Sequence, residues 1–314
     1  MKEKIWLSVV APCLNEQEVL GEFLRRTKAA GEALRRPFEI LVVDDGSADG
    51  TWEALKQEAA RDPRVRGLRL VRNFGHQPAL TAGLLAVRGE RILLIDADLQ
   101  DPPELVAEMI TLMDQKGAEI VYGQRRSREG VSWLLQRCYK MFYKLLGWLS
   151  GCEIPPDTGD FRLVTRKVAE TVNAMPEQQR FLRGMFSWTG FRQVPLRYDR
   201  KARAAGEPAY TWKKLFGLAV DGIMSFSILP LRLASVLAAI LAVAGLVWML
   251  WLVFLNAYFD SPPAGWTSLM VVILFVSALH LLVLGVIGEY IGRIFIEQKR
   301  RPVFLVAEET PPAG

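Results

Sequence analysis

The sequence predicts an α/β fold in which helices flank a mainly parallel sheet, followed by two transmembrane helices and a short C-terminal strand. Three observations indicate this. Short apolar runs alternate with helical patterns over the first 125 residues, each run is apolar at consecutive positions, and charged residues almost vanish between 233 and 290. Strands that alternate with helices and are apolar throughout are typical of a parallel sheet covered on both faces.

The predicted elements follow one another in a regular order. The strands, which are short apolar runs, are 5–11, 38–43, 67–71, 91–95 and 120–122. The helices, which repeat apolar residues at helical spacing, are 16–34, 51–60, 78–87 and 105–115. Ligands of such sheets bind beyond the carboxyl ends of the strands. We therefore expect a site where Asn15, Asp44 and Asp45, and Asp96 to Asp98 fall.

Two apolar segments predict membrane-spanning helices. Residues 233–255 carry no charge and 269–287 are broken only by His280, so each segment reaches the roughly 20 residues that a spanning helix needs. The loop between them holds Asp260 and no Lys or Arg, whereas Arg232 and Arg293 lie outside the pair. The positive-inside rule then predicts a multi-pass protein of the inner (plasma) membrane, with the α/β domain and both termini in the cytoplasm.

These segments divide the chain into four parts. We expect the α/β domain at 1–210, a juxtamembrane amphipathic segment at 211–232, the two transmembrane helices at 233–292, and a tail at 293–314 with a strand at 301–306. Within the domain, 133–149 has an apolar face beside basic and aromatic residues, which is typical of a helix lying in a membrane interface. That segment alone equally fits a surface helix packed on the core, and the spans downstream favour the membrane.

Composition and charge narrow the function classes. The net charge is +5 and the sequence pI is about 9.1, but Lys and Arg cluster beside apolar segments, which favours an anionic membrane surface over nucleic acid as partner. The three cysteines show no C-x-x-C spacing, so neither a disulfide framework nor a zinc site is expected, and a reducing cytosol is indicated. No G-x-x-x-x-G-K-[ST] run occurs, which excludes a P-loop nucleotidase.

Two acidic runs carry the predicted chemistry. Asp96 and Asp98 follow an apolar strand, and alternation along the chain lets both carboxylates project to one side, where they can share a divalent cation. An isolated D-x-D often only caps a helix, but here it opens the longer run DADLQDPPE between a strand and a helix. Asp44 and Asp45 open DDGSADGT, part of which is a turn and helix cap. Two adjacent acids at a strand end can also accept hydrogen bonds from a base N–H and ribose hydroxyls.

Four runs resemble those of the inverting family 2 glycosyltransferases: PCLNE at 12–16, DDGSADGT at 44–51, DADLQDPPE at 96–104 and TGDFRL at 158–163. Within that family the chain is similar, over nearly its whole length, to polyprenyl-phosphate (bactoprenol) glucosyltransferases and to dolichol-phosphate mannose synthase. The resemblance implies a glycosyltransferase-A type fold. It also implies transfer of a single sugar, first of all glucose from UDP-glucose, to polyprenyl (undecaprenyl) phosphate with inversion. GDP-mannose, UDP-N-acetylglucosamine and UDP-aminoarabinose stay open as donors.

The same resemblance implies roles for individual residues. Those implied to hold the nucleotide sugar are Pro12, Leu14, Asn15, Glu16, Asp44, Asp45 and Ala97. Asp96 would lie near the donor sugar and diphosphate, Asp98 and Gln100 would bind Mg²⁺ or Mn²⁺, and Asp160 would be the catalytic carboxylate on the acceptor side. The candidates to grip phosphates, through bidentate hydrogen bonds, are Arg125, Arg126, Arg200 and Arg203. A homo-oligomer, a tetramer, is also implied, in which the tail strand pairs with a neighbouring subunit because no partner is evident in its own chain.

The acceptor's chemistry shapes the expected role of Asp160. A phosphate monoester has its second pKa near ~6, so its nucleophilic oxygen is largely ionised in the cytosol. We therefore predict that Asp160 mainly orients the acceptor, through Arg162 or a metal, with proton removal secondary. His76 and His280 lie too far apart in sequence to predict a metal site, and a structural role is favoured for His76 in a loop near the expected donor pocket.

Two other function classes compete with this interpretation. A processive polysaccharide synthase would share the domain, but 178–181 only loosely resembles the Q-x-x-R-W signature of such enzymes, and two spans are too few for a channel. A non-catalytic membrane scaffold would be expected to have lost at least one acidic run, and every run is intact.

Overall fold

The computed structural model describes residues 4–125, 158–199, 229–259 and 265–310. The chain forms two compact units, one made of 1–212 with 301–314 and the other of 213–300. Two predicted segments therefore escape description: the 133–149 helix lies outside the described residues, and so does all of the juxtamembrane segment except 229–232.

The first unit alternates strands and helices around one sheet. Its strands are β1 Leu7–Cys13, β2 Phe38–Asp44, β3 Val65–Leu70, β4 Arg91–Leu94, β5 Ile120–Arg125, β6 Thr158–Thr165, β7 Gln193–Tyr198 and β8 Val306–Glu309. Its helices are α1 Gln17–Ala33, α2 Thr51–Arg61, α3 His76–Ala86, α4 Val106–Lys116, α5 Arg166–Asn173 and α6 Leu182–Trp188, with a 3₁₀ turn at Pro103–Leu105.

The sheet has eight strands in the order β7-β5-β6-β4-β1-β2-β3-β8. β1 pairs in parallel with both β2 and β4, β2 with β3, and β5 with β7. β6 runs antiparallel between β4 and β5, and β8 runs antiparallel to β3. The predicted mainly parallel sheet is confirmed, and the antiparallel strands were not among the predicted elements except for the tail.

Continuous apolar strands reflect burial on both faces. Val9 and Ile40 belong to one core cluster, whereas their neighbours Val10 and Leu41 belong to a second. Residues of α1, α2 and α4 complete the first cluster, and residues of α3, α5 and α6 complete the second. Because successive side chains point to opposite faces of a strand, apolar residues at consecutive positions place one core on each side of the sheet.

The C-terminal strand differs from its prediction. It lies at Val306–Glu309 rather than 301–306, and it pairs with β3 of its own chain. Thr310 and Gly67 exchange two hydrogen bonds, in which the Thr310 N–H donates to the Gly67 carbonyl (2.9 Å) and the Gly67 N–H donates to Thr310 Oγ1 (2.8 Å). The expectation that the tail has no partner in its own chain is therefore wrong. The open edge of β3 supplies the partner, which a sequence distance of more than 200 residues concealed.

The second unit holds two long apolar helices, α7 Leu229–Phe259 and α8 Trp266–Gln298. Each contains a window long and apolar enough to cross a membrane, Ala234–Trp251 and Phe275–Gln298. Only 6% of the first window and none of the second is buried, so these are not core helices of the protein. The predicted spans at 233–255 and 269–287 lie within them, and such exposed apolar surface indicates membrane association.

Candidate active site

The acidic residues gather at one edge of the sheet. β1, β2 and β4 are adjacent and parallel and end on the same side of the sheet. Asp44 ends β2, and Asn15, Asp45 and Asp96 follow the ends of β1, β2 and β4. β6 runs antiparallel beside β4, with Arg162 opposite Leu94, and this register brings Asp160 near the end of β4. The predicted donor-side and acceptor-side carboxylates therefore lie at the same edge of the sheet.

The turns after β1 and β2 are joined by hydrogen bonds. Asn15 lies in the left-handed region (φ 55°), which asparagine tolerates better than most residues. Its N–H donates to Ser47 Oγ (2.9 Å), and its Oδ1 accepts the Ala48 N–H (2.9 Å). The Glu16 N–H donates to Thr51 Oγ1 (3.0 Å). These hydrogen bonds join the two predicted nucleotide-binding runs into one surface.

Asp44 and Asp45 are both buried, and the carboxylate of each accepts hydrogen bonds from backbone N–H groups. Asp44 Oδ1 accepts the Ser47 N–H (3.0 Å). Asp45 accepts the N–H groups of Phe74 and Gly75, both at 2.8 Å. Burial raises the pKa of Asp45, although these two hydrogen bonds oppose the shift. The Asp45 carboxylate therefore anchors the loop from β3 to α3, a structural task that the sequence pattern did not predict.

Gly46 allows this loop to approach. Its φ of +74° lies in the region that favours glycine, and a Cβ there would sit 2.5 Å from the carbonyl carbon of Arg72.

Of the other residues implied to bind the nucleotide sugar, Leu14 is exposed (39%), Glu16 is half-buried, and Pro12 and Ala97 are buried.

The D-x-D turn contains two carboxylates in different environments, Asp96, whose pKa is raised, and Asp98, which is the predicted metal ligand. Burial raises the pKa of Asp96 to about 6; Asp160, Asp101 and Asp98 add to that rise, while His76 opposes it. The Asp96 Oδ1 atom is buried and has no hydrogen-bond partner within the described residues. Asp98 Oδ1 accepts the Gln100 N–H (3.1 Å) across Leu99, whose φ is +59°.

The oxygen atoms at Asp98 and Gln100 suit a cation whose coordination shell is completed by substrate phosphates. The described part of the chain contains no group of three His, Cys, Asp or Glu residues able to hold a metal alone. The Gln100 Oε1 atom is buried without a hydrogen-bond partner among the same residues. Mg²⁺ takes oxygen ligands and is commonly bound by one or two carboxylates together with substrate phosphates. Asp98 and Gln100 match that mode rather than an all-protein cage.

Asp160 is the centre of a charged cluster. Its carboxylate is buried (6% exposed) and accepts hydrogen bonds from Arg183 Nε (3.0 Å) and Gln77 Nε2 (3.2 Å), while His76 Nε2 lies 3.1 Å from Oδ2. Burial by itself would raise the pKa of Asp160. The charge of Arg183, the hydrogen bond and charge of His76, and the charge of Arg162 together hold it far below its usual range. Asp160 is therefore ionised at any cytosolic pH.

Arg162 lies almost fully inside this cluster. Burial lowers its pKa to about 10, so it stays charged near neutrality. Its guanidinium lies 4.7 Å from the centre of the Phe186 ring, and one nitrogen donates to the Gly159 carbonyl (3.1 Å). The Phe186 ring packs against the charged guanidinium of Arg162 and favours its position at this edge of the sheet.

Sequence reasoning missed three members of the cluster: His76, Gln77 and Arg183. His76 was assigned a structural role, although it begins α3 just after the carboxyl end of β3, which is the edge where a site was expected. Arg183 belongs to no predicted run, and only folding brings it to Asp160. Of the predicted phosphate-gripping arginines, Arg126, Arg200 and Arg203 lie outside the described residues, and Arg125 ends β5 with its side chain undescribed.

Two family models match this chain, one within the α/β unit and one over the two apolar helices. The glycosyl transferase family 2 model matches residues 8–172, and the model of a GtrB C-terminal hairpin matches 229–294. An uncharacterized glycosyltransferase of Bacillus subtilis, YkcC, is 44% identical across 98% of this chain and 94% of its own length. The bactoprenol glucosyl transferase of Shigella phage SfV is 37% identical across 96% of this chain and 98% of its own length.

A solved structure supports the fold. Glucosyl-3-phosphoglycerate synthase from Mycobacterium tuberculosis, crystallised with Mn²⁺, UDP and phosphoglyceric acid, superposes with a TM-score of 0.51. The match covers 70% of this chain and 76% of that one at 21% sequence identity. At that identity the likeness concerns the architecture of the sheet and its helices.

Proposed function

The chain belongs to glycosyl transferase family 2, and from this we propose that it transfers a single glucose from UDP-glucose to undecaprenyl phosphate with inversion. The observation that carries the proposal is the 37% identity to a bactoprenol glucosyl transferase across nearly the whole of both chains. That similarity includes the apolar hairpin as well as the catalytic domain. A lipid acceptor fits a protein whose second unit is long enough to cross a membrane.

On the donor side, the surface formed by the turns after β1 and β2 would receive the nucleoside, with Asp44 and Asp45 held rigid by their backbone partners. The diphosphate would then reach Asp96 and Asp98. Asp98 and Gln100 would hold Mg²⁺ or Mn²⁺ there, and the bound cation would neutralise charge on the departing diphosphate.

On the acceptor side, Asp160 orients rather than deprotonates. A carboxylate with so low a pKa binds a proton too weakly to act as base near neutrality. The acceptor phosphate is already largely ionised, since its second pKa is near ~6. Asp160 instead aligns Arg183 and His76, which are the cationic groups suited to a phosphate. Attack from the face opposite the leaving UDP converts an α-linked donor into a β-linked lipid.

Location and assembly belong to the same proposal. We place the protein in the inner membrane with both spans crossing it and the catalytic domain and termini in the cytoplasm, as the basic residues outside the spans favour. We also retain a homo-oligomer, a tetramer, as a prediction. Because β8 pairs with β3 of its own chain, we no longer assign the subunit interface to the tail.

The test is transfer by the purified full-length protein in detergent or vesicles. Undecaprenyl phosphate is supplied with each of UDP-glucose, UDP-N-acetylglucosamine, UDP-aminoarabinose and GDP-mannose. We expect one sugar per lipid, with UDP-glucose the preferred donor and a β linkage by NMR. Preference for another donor would revise the sugar, a polymer would support a processive synthase, and no turnover with any donor would support a scaffold.

A further inference from the structure

His76 lies between the two carboxylates of the site. Its Nε2 atom is 3.1 Å from Asp160 Oδ2 and 3.5 Å from Asp96 Oδ1. Ionised Asp160 can only accept hydrogen bonds, so Nε2 must carry the proton that lies between the two residues. The other ring nitrogen, Nδ1, has no hydrogen-bond partner in the part of the chain that the structure describes, and the side chain is 42% exposed. One ring nitrogen is thus fixed by protein while the other stays available.

The backbone around His76 is held on both sides. The preceding residues Phe74 and Gly75 donate to Asp45. The following residue, Gln77, donates to Asp160 and accepts the N–H of Leu182 (2.9 Å). This bracing keeps the imidazole at the carboxylates without a contribution from bound ligand.

The charges that face His76 favour its cationic form. Burial opposes that form, but the hydrogen bond to Asp160 and the negative charges of Asp96 and Asp160 outweigh both burial and the repulsion from Arg183, so the pKa of His76 is raised above its ordinary value. In the imidazolium both ring nitrogens are donors. Nδ1–H is then a charged donor that the protein leaves unused.

We propose that His76 is an acceptor-binding residue, in which Asp160 holds Nε2–H while Nδ1–H donates to a non-attacking oxygen of the acceptor's phosphate. The proposal rests on the proposed function, since it requires a phosphate acceptor. It assigns Asp160 a concrete task, which is to orient His76 and Arg183 together. No covalent step involves His76, so the attacking oxygen keeps its full charge.

A pH signature follows from two opposing ionisations. The acceptor must lose its second proton, with a pKa near ~6, so the rate rises on the acid side. His76 must keep its proton, and because its pKa is raised, binding declines only as pH rises through that higher value. The rate at low acceptor concentration should therefore be bell-shaped in pH, with His76 responsible for the alkaline side.

The kinetic test is His76→Gln. Glutamine can still donate one hydrogen bond to Asp160 but has neither a positive charge nor the second N–H in place. We expect the KM for undecaprenyl phosphate to rise about 10- to 100-fold, as for loss of one charge-assisted hydrogen bond, with the KM for UDP-glucose unchanged and the alkaline decline absent. His280→Gln, the same substitution at the chain's other histidine, should match wild type. A His76→Gln enzyme with wild-type acceptor KM and an unaltered alkaline decline overturns the proposal.

A second measurement needs no turnover. The chain has two histidines, so histidine-selective NMR of the full-length protein yields two imidazole signals, which the two glutamine variants assign. His76 should titrate above about 6.5, the ordinary histidine value, lower in Asp160→Asn, and shift when undecaprenyl phosphate is added. A His76 signal that titrates at the ordinary histidine value and does not shift when undecaprenyl phosphate is added refutes the inference. Absence of sugar transfer by wild type, with these signals as expected, would instead refute the proposed function alone.

Discussion

Replacing Asp160 with asparagine removes the negative charge on which Arg183 and His76 converge, while nearly preserving shape and one oxygen acceptor. Both hydrogen bonds, at 3.0 and 3.1 Å, then lose their charge assistance. At ~1.5 to 2 kcal/mol for each bond, the transition state loses about 3 to 4 kcal/mol of stabilisation. This corresponds to roughly a 100- to 1,000-fold decrease in turnover. Arg162, buried in the same cluster, also loses its counter-charge, so the free energy of unfolding should fall by about 3 kcal/mol.

The assay follows transfer of labelled glucose from UDP-glucose to undecaprenyl phosphate between about pH 6 and pH 9. Because the pKa of wild-type Asp160 lies far below this window, its charge is present throughout, and the variant should be impaired at every pH. If the variant's own rate instead rises with pH until it reaches the wild-type maximum, the acceptor is being ionised without help, Asp160 is a true base, and the orienting account is wrong.

Asp62→Asn is a matched control. Asp62 is a paired carboxylate just before β3, at the edge opposite the site, with Arg64 at 2.9 Å and Lys28 at 3.5 Å. Hydrogen bonds from Arg64 lower its pKa to about 2, although burial opposes the shift. This variant should lose about 1 kcal/mol of stability and keep wild-type turnover. Equal loss of turnover in both variants would mean that the Asp160 effect reports general destabilisation.

Three further predictions concern the cation, the tail and the donor surface. Asp98→Asn should abolish turnover with an unchanged melting temperature, and EDTA should stop the wild type until Mg²⁺ or Mn²⁺ is returned; full activity in EDTA would remove the metal from the mechanism. Arg66→Met leaves buried Glu39 without its 2.9 Å partner and Glu309 of the tail strand without its 2.6 Å partner, and should lower the free energy of unfolding by about 3 to 5 kcal/mol in chemical denaturation; a change below ~1 kcal/mol would contradict these pairings. Gly46→Ala, which must move the chain that a Cβ would meet at 2.5 Å, should raise the KM for UDP-glucose about 10-fold, the equivalent of ~1.4 kcal/mol. An unchanged donor KM would dissociate that turn from nucleotide binding.

The first strands, the acidic turns and the two apolar helices could be predicted because each depends on residues close together in sequence. Val9 and Val10 are both apolar since each faces a different core, and the resulting uninterrupted apolar run is visible in the sequence itself. Asp96 and Asp98 are recognisable because strand, turn and helix follow one another within a few residues. Span length and the absence of charge are likewise local properties.

The charged cluster and the tail pairing were decided by tertiary structure alone. Asp160 meets His76 from 84 positions away and Arg183 from 23, and these encounters depend on β6 entering antiparallel beside β4. β8 joins β3 across 243 positions, between Arg66 and Glu309. Periodicity records only which face of an element is buried; which elements become neighbours depends on strand order and chain reversal. The roles of His76 and Asp45 therefore appear only when distant strand ends are brought to one edge of the sheet.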